Sequence, residues 1–468
     1  MIQKIEPEAG GLAMPLSRAD VGLSPTYISR AATPSRAEPK RSRWRRPEII
    51  FCLSIVACIM EGAARKWFFS SGSIAKYLCY FSKDILFGLL VVTTWPRTAI
   101  NGSDSLKKFL TFGISLCVVG AIISSTEEYN LVGAVLSARA LFFLPLIAYL
   151  ALPRLGGIKL EGVALLIGLF TIANAGLGLL QYHASPDALI NHYATEAGSP
   201  ADMFQGNVRA AGTFSYITGY GNMASVGAWA GLTLLCLAAG RIQYVMAGWA
   251  IYLAALLCGL ASISRATVLL VGATFIVFVL SGRQGLANLF KAGAGLTVIF
   301  LVAYSVNLSS KFTALSDKLL QRSEMAGDSF GERTLNPISE IGDAFETAPM
   351  GGGFGMQQVG GVYAETGIMA FRSWENQFPR LVIETGILGL AGFFVTCIGA
   401  LGALFTARNS CPTEGLRRVC ALTIFLFSSL FFTNVAFNHT ASFFAWSIFA
   451  VTIAAVSGRS EAVVAPHG

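Results

Sequence analysis

The chain has 468 residues, of which 54% are apolar and only 13% are charged, and its mean hydropathy is +0.61. Soluble domains carry about 25% charged residues, so this composition excludes an ordinary soluble fold and predicts a multi-spanning membrane protein. The formal net charge is +8. Because much of the positive excess lies in the N-terminal tail and in short connections beside apolar segments, it is typical of membrane topology and predicts no nucleic-acid partner.

Cysteine and glycine patterns limit the chemistry further. The sequence has nine cysteines, most of them inside apolar runs, as expected of packing residues. It contains no Cys-x-x-Cys pair or His/Cys cluster typical of a metal site, and no glycine pattern of a nucleotide-binding loop. We therefore expect neither a metal ion nor a cofactor.

Apolar segments of membrane-spanning length dominate the rest of the chain. The first 46 residues are rich in proline and charge, which predicts a disordered basic tail. A bilayer core requires about 20 apolar residues per helix, and that length predicts spans 1–9 within 47–306, spans 10–12 within 379–458, and a short tail at 459–468. The sequence thus predicts an all-α polytopic membrane protein with about twelve transmembrane helices. The predicted spans lie near 48–64, 77–95, 109–124, 131–152, 162–180, 216–239, 243–261, 267–281, 292–306, 379–405, 419–437 and 441–457.

Positive charges predict the orientation of these spans, because Lys and Arg collect on the cytoplasmic side. Four arginines between positions 41 and 46 place the amino terminus inside, and every predicted inner connection carries Lys or Arg. We therefore expect both termini in the cytoplasm. The first outer connection opposes the rule, since it contains Arg65, Lys66 and Lys76.

Two predicted outer connections are long, at 181–215 and 307–378, and loops of such length are usually functional. The second contains Ile341 and Phe345 at helical spacing and then three glycines at 351–353. This pattern predicts one amphipathic helix that lies on the membrane surface or caps the bundle. The functional site is expected at this periplasmic face.

The candidate site residues are arginines near the predicted outer ends of spans, together with an acid and an amide before the tenth span. Guanidinium groups are always charged and form a planar fork that suits phosphate oxygens. The arginines also fit simple snorkelling or a solvated loop charge, and the acid and amide also fit a helix start. These candidates are Arg139, Arg209, Arg265, Arg333, Glu375, Asn376 and Arg380.

Four segments resemble the signature of the O-antigen ligase and polymerase superfamily. Asn376 is followed by nine residues and then "GILG", similar to the family pattern of His-Asn/Ser/Gln, nine residues and Gly-x-x-Gly. "NVRAAGTF", "SISRAT" and the stretch from Arg333 to "PMGGGFG" resemble the other family segments in the same order. The resemblance covers about residues 200 to 395.

This resemblance implies an inverting, metal-independent glycosyltransferase of the type-C architecture, with a large periplasmic loop between spans 9 and 10. Its donor would be an undecaprenyl-diphosphate-linked glycan, and Arg209, Arg265 and Arg333 would hold the diphosphate. A glycan acceptor, the lipid bilayer and a regulator of chain length are the implied partners.

One departure from the family pattern bears on the reaction. The family has a histidine where this chain has Glu375, which would either accept the proton of the acceptor hydroxyl or orient a sugar. This change favours a repeat-unit polymerase for exopolysaccharide or O-antigen over a ligase. A polysaccharide transporter and a scaffold protein remain alternatives.

Overall fold

The computed structural model describes an almost entirely helical chain. The description covers residues 47–68, 74–92, 104–126, 131–152, 155, 158–192, 203–204, 207–282, 340–356, 377–433, 436 and 438–464. The predicted tail at 1–46, the ninth span at 292–306 and most of the 307–378 connection lie outside these residues.

Thirteen α-helices are labelled here within the described residues. They are α1 (Pro47–Trp67), α2 (Ile74–Val92), α3 (Asp104–Ser124), α4 (Leu131–Ala138), α5 (Leu144–Ala151), α6 (Leu160–His183), α7 (Ile217–Leu237), α8 (Ile242–Ala261), α9 (Arg265–Leu280), α10 (340–347), α11 (Gln377–Asn409), α12 (Glu414–Thr433) and α13 (His439–Val464). A π-helix (Arg139–Phe143) joins α4 to α5, and β1 (Met203–Phe204) pairs antiparallel with β2 (Asn207–Val208).

Eight described spans are long and apolar enough to cross a membrane, which fits a polytopic membrane protein but gives fewer spans than the twelve predicted. Helix α9 is apolar but has only 16 residues. Helix α2 carries Lys76, Lys83 and Asp84, and α7 is rich in glycine and polar residues in its first half. Helices α2 and α7 therefore fall outside the eight because of their charge and polarity rather than their length.

Small residues allow α3 and α11 to approach closely. A Cβ atom on Gly120 would lie 2.3 Å from the Thr385 carbonyl oxygen, and one on Gly392 would lie 2.4 Å from the Gly113 carbonyl oxygen. Such close contacts are typical of membrane helices, where backbone proximity replaces hydrophobic burial as the source of packing energy. The second glycine of the "GILG" motif, Gly389, belongs to this interface, so its role is structural.

Helix α7 lies at the centre of the described bundle. Nearly all its side chains are buried, and it contacts α6, α8, α9 and α12. Trp229 is fully buried and donates a hydrogen bond to Thr423 Oγ1 at 3.0 Å. By contrast, apolar side chains on α2 and α3 such as Leu78, Ile85 and Ile122 are more than half exposed, as expected of surfaces that face lipid.

The glycine segment 351–355 binds at a kink in α11. Gly386 has φ +64°, a left-handed conformation that interrupts the helix and that side chains with a Cβ rarely adopt. The interruption frees backbone groups, and the Ile387 N–H donates to the Pro349 carbonyl at 3.0 Å. The Gly352 N–H donates to the Ile383 carbonyl at 2.7 Å. The motif glycine thus creates the docking position for the "PMGGGFG" segment.

A short helix, α10 at 340–347, lies within the segment that carries the predicted amphipathic pattern. Ala344 and Ala348 pack on Val382 and Ile383 of α11, so this helix caps the bundle rather than lying on the membrane surface. At the carboxyl end, α13 continues to Val464, seven residues past the predicted end of the last span at 457.

Candidate functional site

The structure places Arg209 against the turn between α8 and α9. Its Nε donates a hydrogen bond to the Ser262 carbonyl at 3.3 Å, and the Ala210 N–H donates to the Ala261 carbonyl at 3.1 Å. Arg265 is the first residue of α9, three positions after Ser262, and its side chain is half-buried. Two arginines from separate motifs therefore flank one turn.

Polar side chains of α6 hold the segment that follows Arg209. Gln181 Oε1 accepts hydrogen bonds from the backbone N–H groups of Ala211 at 3.1 Å and Gly212 at 2.7 Å. Asn174 Oδ1 accepts from the Thr213 N–H at 2.9 Å. Both side chains are almost completely buried, so these bonds fix the backbone of the "RAAGT" motif in one conformation.

Helix α1 binds the same segment from its other side. Lys66 Nζ donates to the Gly212 carbonyl at 2.6 Å, and Arg65 Nη1 lies 3.3 Å from Ser215 Oγ. The approach is close because α1 has a glycine at the contact: a Cβ atom on Gly62 would lie 2.4 Å from the Ser215 nitrogen. Two of the three cations that oppose the positive-inside rule thus have structural partners in the Arg209 segment.

A cluster of charged side chains surrounds the ring of Tyr80 on α2. The charged atoms of Lys83, Arg65 and Arg139 lie 4.6, 4.9 and 5.0 Å from the ring centroid, a distance at which the ring attracts cations. We name this the Tyr80 cluster, which consists of Tyr80, Arg65, Lys83, Arg139, Glu61, Asp84 and His439.

Carboxylates balance these cations only in part. Glu61 is paired with both Lys83 and Arg65, the latter at 3.2 Å, and Asp84 Oδ1 lies 3.1 Å from Arg139 Nε. The Tyr80 cluster thus contains three cations and two carboxylates. Lys83 lies about 13 Å along the axis from the start of α2 at 1.5 Å per residue, so an excess positive charge is held well inside a helix bundle.

Arg139 is the most unusual member of the Tyr80 cluster. It begins the π-helix between α4 and α5, a local widening of the helix that occurs frequently at functional sites. The side chain is only 4% exposed. Its Nη1 and Nη2 atoms have no hydrogen-bond partner among the described residues, although buried guanidinium groups normally satisfy their donors.

Arg380 and His439 lie near the starts of α11 and α13. The His439 ring meets the Tyr80 ring edge-on at a centroid distance of 5.5 Å. One turn after Arg380, the fully buried Glu384 accepts a hydrogen bond from Ser137 on α4. Arg380 therefore lies one turn before the contact between α11 and α4.

The predicted site residues divide into three groups. The structure joins Arg209 to the turn that precedes Arg265, it places Arg139 over the Tyr80 ring, and it places Arg380 one turn before the buried Glu384. Arg333, Glu375 and Asn376 lie outside the described residues, so their assigned roles stay predictions. The sequence analysis did not include Tyr80 and Lys83 among the site residues. Arg65 and Lys66 break the positive-inside rule, and this was the signal that could have pointed to Tyr80 and Lys83.

A metal site does not form from the described residues, which contain no group of three or more His, Cys, Asp or Glu side chains close enough to hold an ion. The donors that converge in the Tyr80 cluster are mostly cationic. Such an arrangement repels metal ions and attracts anions such as phosphates.

Comparison with known proteins gives a distant relative. No protein-family model matches the chain. Over 278 residues, the chain is 25% identical to an O-antigen polymerase of Salmonella muenchen, and the match covers 57% of this chain. The chain spans 64% of that relative's length, just under two thirds. With the eight apolar helices found among the described residues, this similarity supports a membrane location.

Proposed function

We propose that the chain is an inner-membrane glycosyltransferase that polymerises undecaprenyl-diphosphate-linked repeat units into exopolysaccharide or O-antigen. In this proposal twelve spans carry the site at the periplasmic face and both termini lie in the cytoplasm. The polymerase name of the distant relative and the motif resemblance support the reaction class. A glycan acceptor and a regulator of chain length complete the proposed set of partners.

The observation that carries this proposal is the buried guanidinium of Arg139, which lies in a cluster with more cations than carboxylates. A charged side chain inside a membrane protein is costly and is retained chiefly where it is used. Arg139 is 4% exposed, lies in a cluster with excess positive charge and keeps two donor atoms without partners among the described residues. A lipid diphosphate would supply negative charge and several oxygen acceptors to these donors.

The same charge would stabilise the transition state of an inverting transfer. The acceptor hydroxyl oxygen attacks the anomeric carbon, a new carbon–oxygen bond forms, and the bond from that carbon to the diphosphate oxygen breaks with its electron pair. Negative charge therefore grows on the leaving diphosphate. Prearranged arginines stabilise such charge, and loss of one donor costs about 10²–10³ in rate, so this design needs no metal ion.

The hydroxyl proton requires an acceptor during the same step. Glu375 is the proposed residue because a carboxylate within hydrogen-bond reach of the hydroxyl can take the proton. If Glu375 instead orients a sugar, a water molecule would accept the hydroxyl proton. A Glu375→Gln variant separates the two roles, since only the first requires a basic oxygen.

The deciding experiment uses the purified chain in liposomes with undecaprenyl-diphosphate-linked repeat units. We expect a ladder of longer lipid-linked glycans. Arg139→Gln should lower the rate by about 10²–10³, and Arg209→Ala should lower it similarly while the amount of folded protein stays constant.

Arg241→Gln is the matched control. Arg241 also lies over an aromatic ring, that of Tyr244 at 4.2 Å, but it is exposed and follows α7. Normal ladders from both Arg139→Gln and Arg209→Ala would contradict the diphosphate assignment. Transfer to lipid A core without lengthening would indicate a ligase, and a change in lipid sidedness alone would indicate a transporter. Absence of all three reactions would indicate a scaffold.

A further inference from the structure

Two cysteines face each other at the end of the bundle that is remote from the Tyr80 cluster. Cys411 lies in the short turn between α11 and α12, Cys420 lies in the second turn of α12, and their Sγ atoms are 3.6 Å apart. A disulfide has an S–S distance of about 2.0 Å. The two sulfurs are therefore already in van der Waals contact, and small side-chain rotations would bring them to bonding distance.

The two thiols differ in accessibility. Cys420 is fully buried with Ala407 and Val456, whereas Cys411 is half-buried beside this group and can be reached from the turn. The contact with the Cys420 sulfur lowers the pKa of the Cys411 thiol, and the charges of Arg417 and Arg408 lower it further against the opposing effect of burial. A lower pKa increases the fraction of thiolate, which is the reactive form.

We infer that Cys411 and Cys420 form an oxidant-sensitive dithiol, a modification site that a hydroperoxide converts to an intramolecular disulfide between α11 and α12. This inference is independent of the proposed glycosyltransferase reaction. It rests on the contact between the sulfurs, on the unequal exposure of the two side chains and on the positively charged turn around Cys411.

The chemistry requires two steps and one equivalent of hydroperoxide. The Cys411 thiolate attacks one peroxide oxygen, so that a sulfur–oxygen bond forms, the oxygen–oxygen bond breaks and water or an alcohol leaves. The Cys420 sulfur then attacks the Cys411 sulfur. The sulfur–sulfur bond forms while the sulfur–oxygen bond breaks, and the hydroxide leaves as water with the Cys420 proton. Both thiols are oxidised and the hydroperoxide is reduced.

The test treats the purified full-length protein with hydrogen peroxide at increasing ratios up to equimolar. Remaining thiols are blocked with N-ethylmaleimide, and tryptic peptides are measured by mass spectrometry. Trypsin cleaves after Arg417 and Arg418, so the two cysteines fall on separate peptides unless they are joined. We expect the joined peptide to appear first and to disappear on treatment with dithiothreitol.

Two single variants assign the roles. Cys411→Ser should abolish the joined peptide and leave Cys420 unoxidised, because the buried thiol is not reached. Cys420→Ser should let Cys411 react with dimedone as a sulfenic acid. Neither change removes a large side chain, and a thermal unfolding measurement confirms that each variant is folded.

An internal control comes from a second pair of neighbouring cysteines. Cys117 and Cys397 lie near each other but are both fully buried in the core, and they should remain alkylatable after denaturation. The inference is overturned if Cys411 oxidises no faster than the half-buried Cys52, or if the joined peptide comes from two separate chains.

Discussion

Two regions of the molecule hold cations near the proposed site, and they differ in how completely their polar groups are paired. In the segment that follows Arg209, backbone groups from Ala211 to Thr213 are bonded by buried side chains of α6 and α1. In the Tyr80 cluster, Arg139 keeps two donors without partners among the described residues. In the first region the hydrogen bonds fix the backbone in one conformation. In the second region Arg139 has two donor atoms that a ligand could bind.

From this difference we infer that the two regions perform separate tasks. A saturated hydrogen-bond network fixes geometry, because each bond strengthens the others in a medium of low dielectric constant. An unsaturated cation attracts a ligand for the same electrostatic reason. The Arg209 segment would therefore position a ligand that the Tyr80 cluster neutralises, and α1 links the two through Arg65.

The largest effect is expected where α1 meets the Arg209 segment. Gly62→Leu would push atoms into the Thr213 carbonyl and the Ser215 nitrogen, both 2.4 Å from the position of a Cβ atom. Since backbone cannot move aside cheaply, we expect a loss of more than about 4 kcal/mol in the free energy of unfolding. Size-exclusion chromatography in detergent measures the folded fraction.

The control for this variant is Gly88→Leu on α2, where a Cβ atom would meet nothing within 4 Å. Equal yields of folded protein from the two variants would show that α1 and the segment are not in contact.

A smaller effect is expected from breaking an ion pair in the Tyr80 cluster. Glu61→Gln leaves Lys83, which is 0% exposed, without its paired carboxylate. Breaking a buried pair costs about 3–5 kcal/mol. The double variant Glu61→Gln/Lys83→Met should recover most of this loss, since it removes both charges. Thermal unfolding of the three proteins checks the order, and a double variant less stable than Glu61→Gln would disprove the pairing.

The smallest effect is expected in the saturated region. Gln181→Ala removes one acceptor and leaves the Ala211 and Gly212 N–H groups without it, at a cost of about 1–3 kcal/mol. The midpoint of chemical unfolding measures the change. Gln243→Ala, at an exposed position of α8, should stay within about 0.5 kcal/mol of the parent protein. Indistinguishable midpoints would mean that Gln181 does not hold the segment.

Much of the helical layout could be predicted from the sequence, because apolar segment length is a local property. The first predicted span, 48–64, corresponds to α1, and the tenth, 379–405, corresponds to α11 at Gln377–Asn409. The helix ends of the structure differ from the predicted span ends where polar residues extend a helix beyond its apolar segment. The twelfth span was predicted to end at 457, whereas α13 reaches Val464 through the polar sequence "SGRSEAVV".

The site was less accessible to sequence reasoning, because its contacts join distant positions. Lys66 and Gly212 are separated by 146 positions, and no periodicity relates them. Arg209 and Arg265 were found because each belongs to a recognisable motif. Lys83 and Asp84 are neighbours in the sequence, but the structure pairs Lys83 with Glu61 and Asp84 with Arg139.

The π-helix at Arg139 makes the direction of this charged side chain independent of the direction of the side chains that follow it. In a regular α-helix each residue advances the side-chain direction by about 100°, so the direction of one charge fixes the face of every later residue. One wider turn resets that relation. Arg139 can therefore point inward while α5 still presents its apolar face to lipid. Deletion of one residue from the π-helix would turn either Arg139 or the apolar face of α5 away from its present direction.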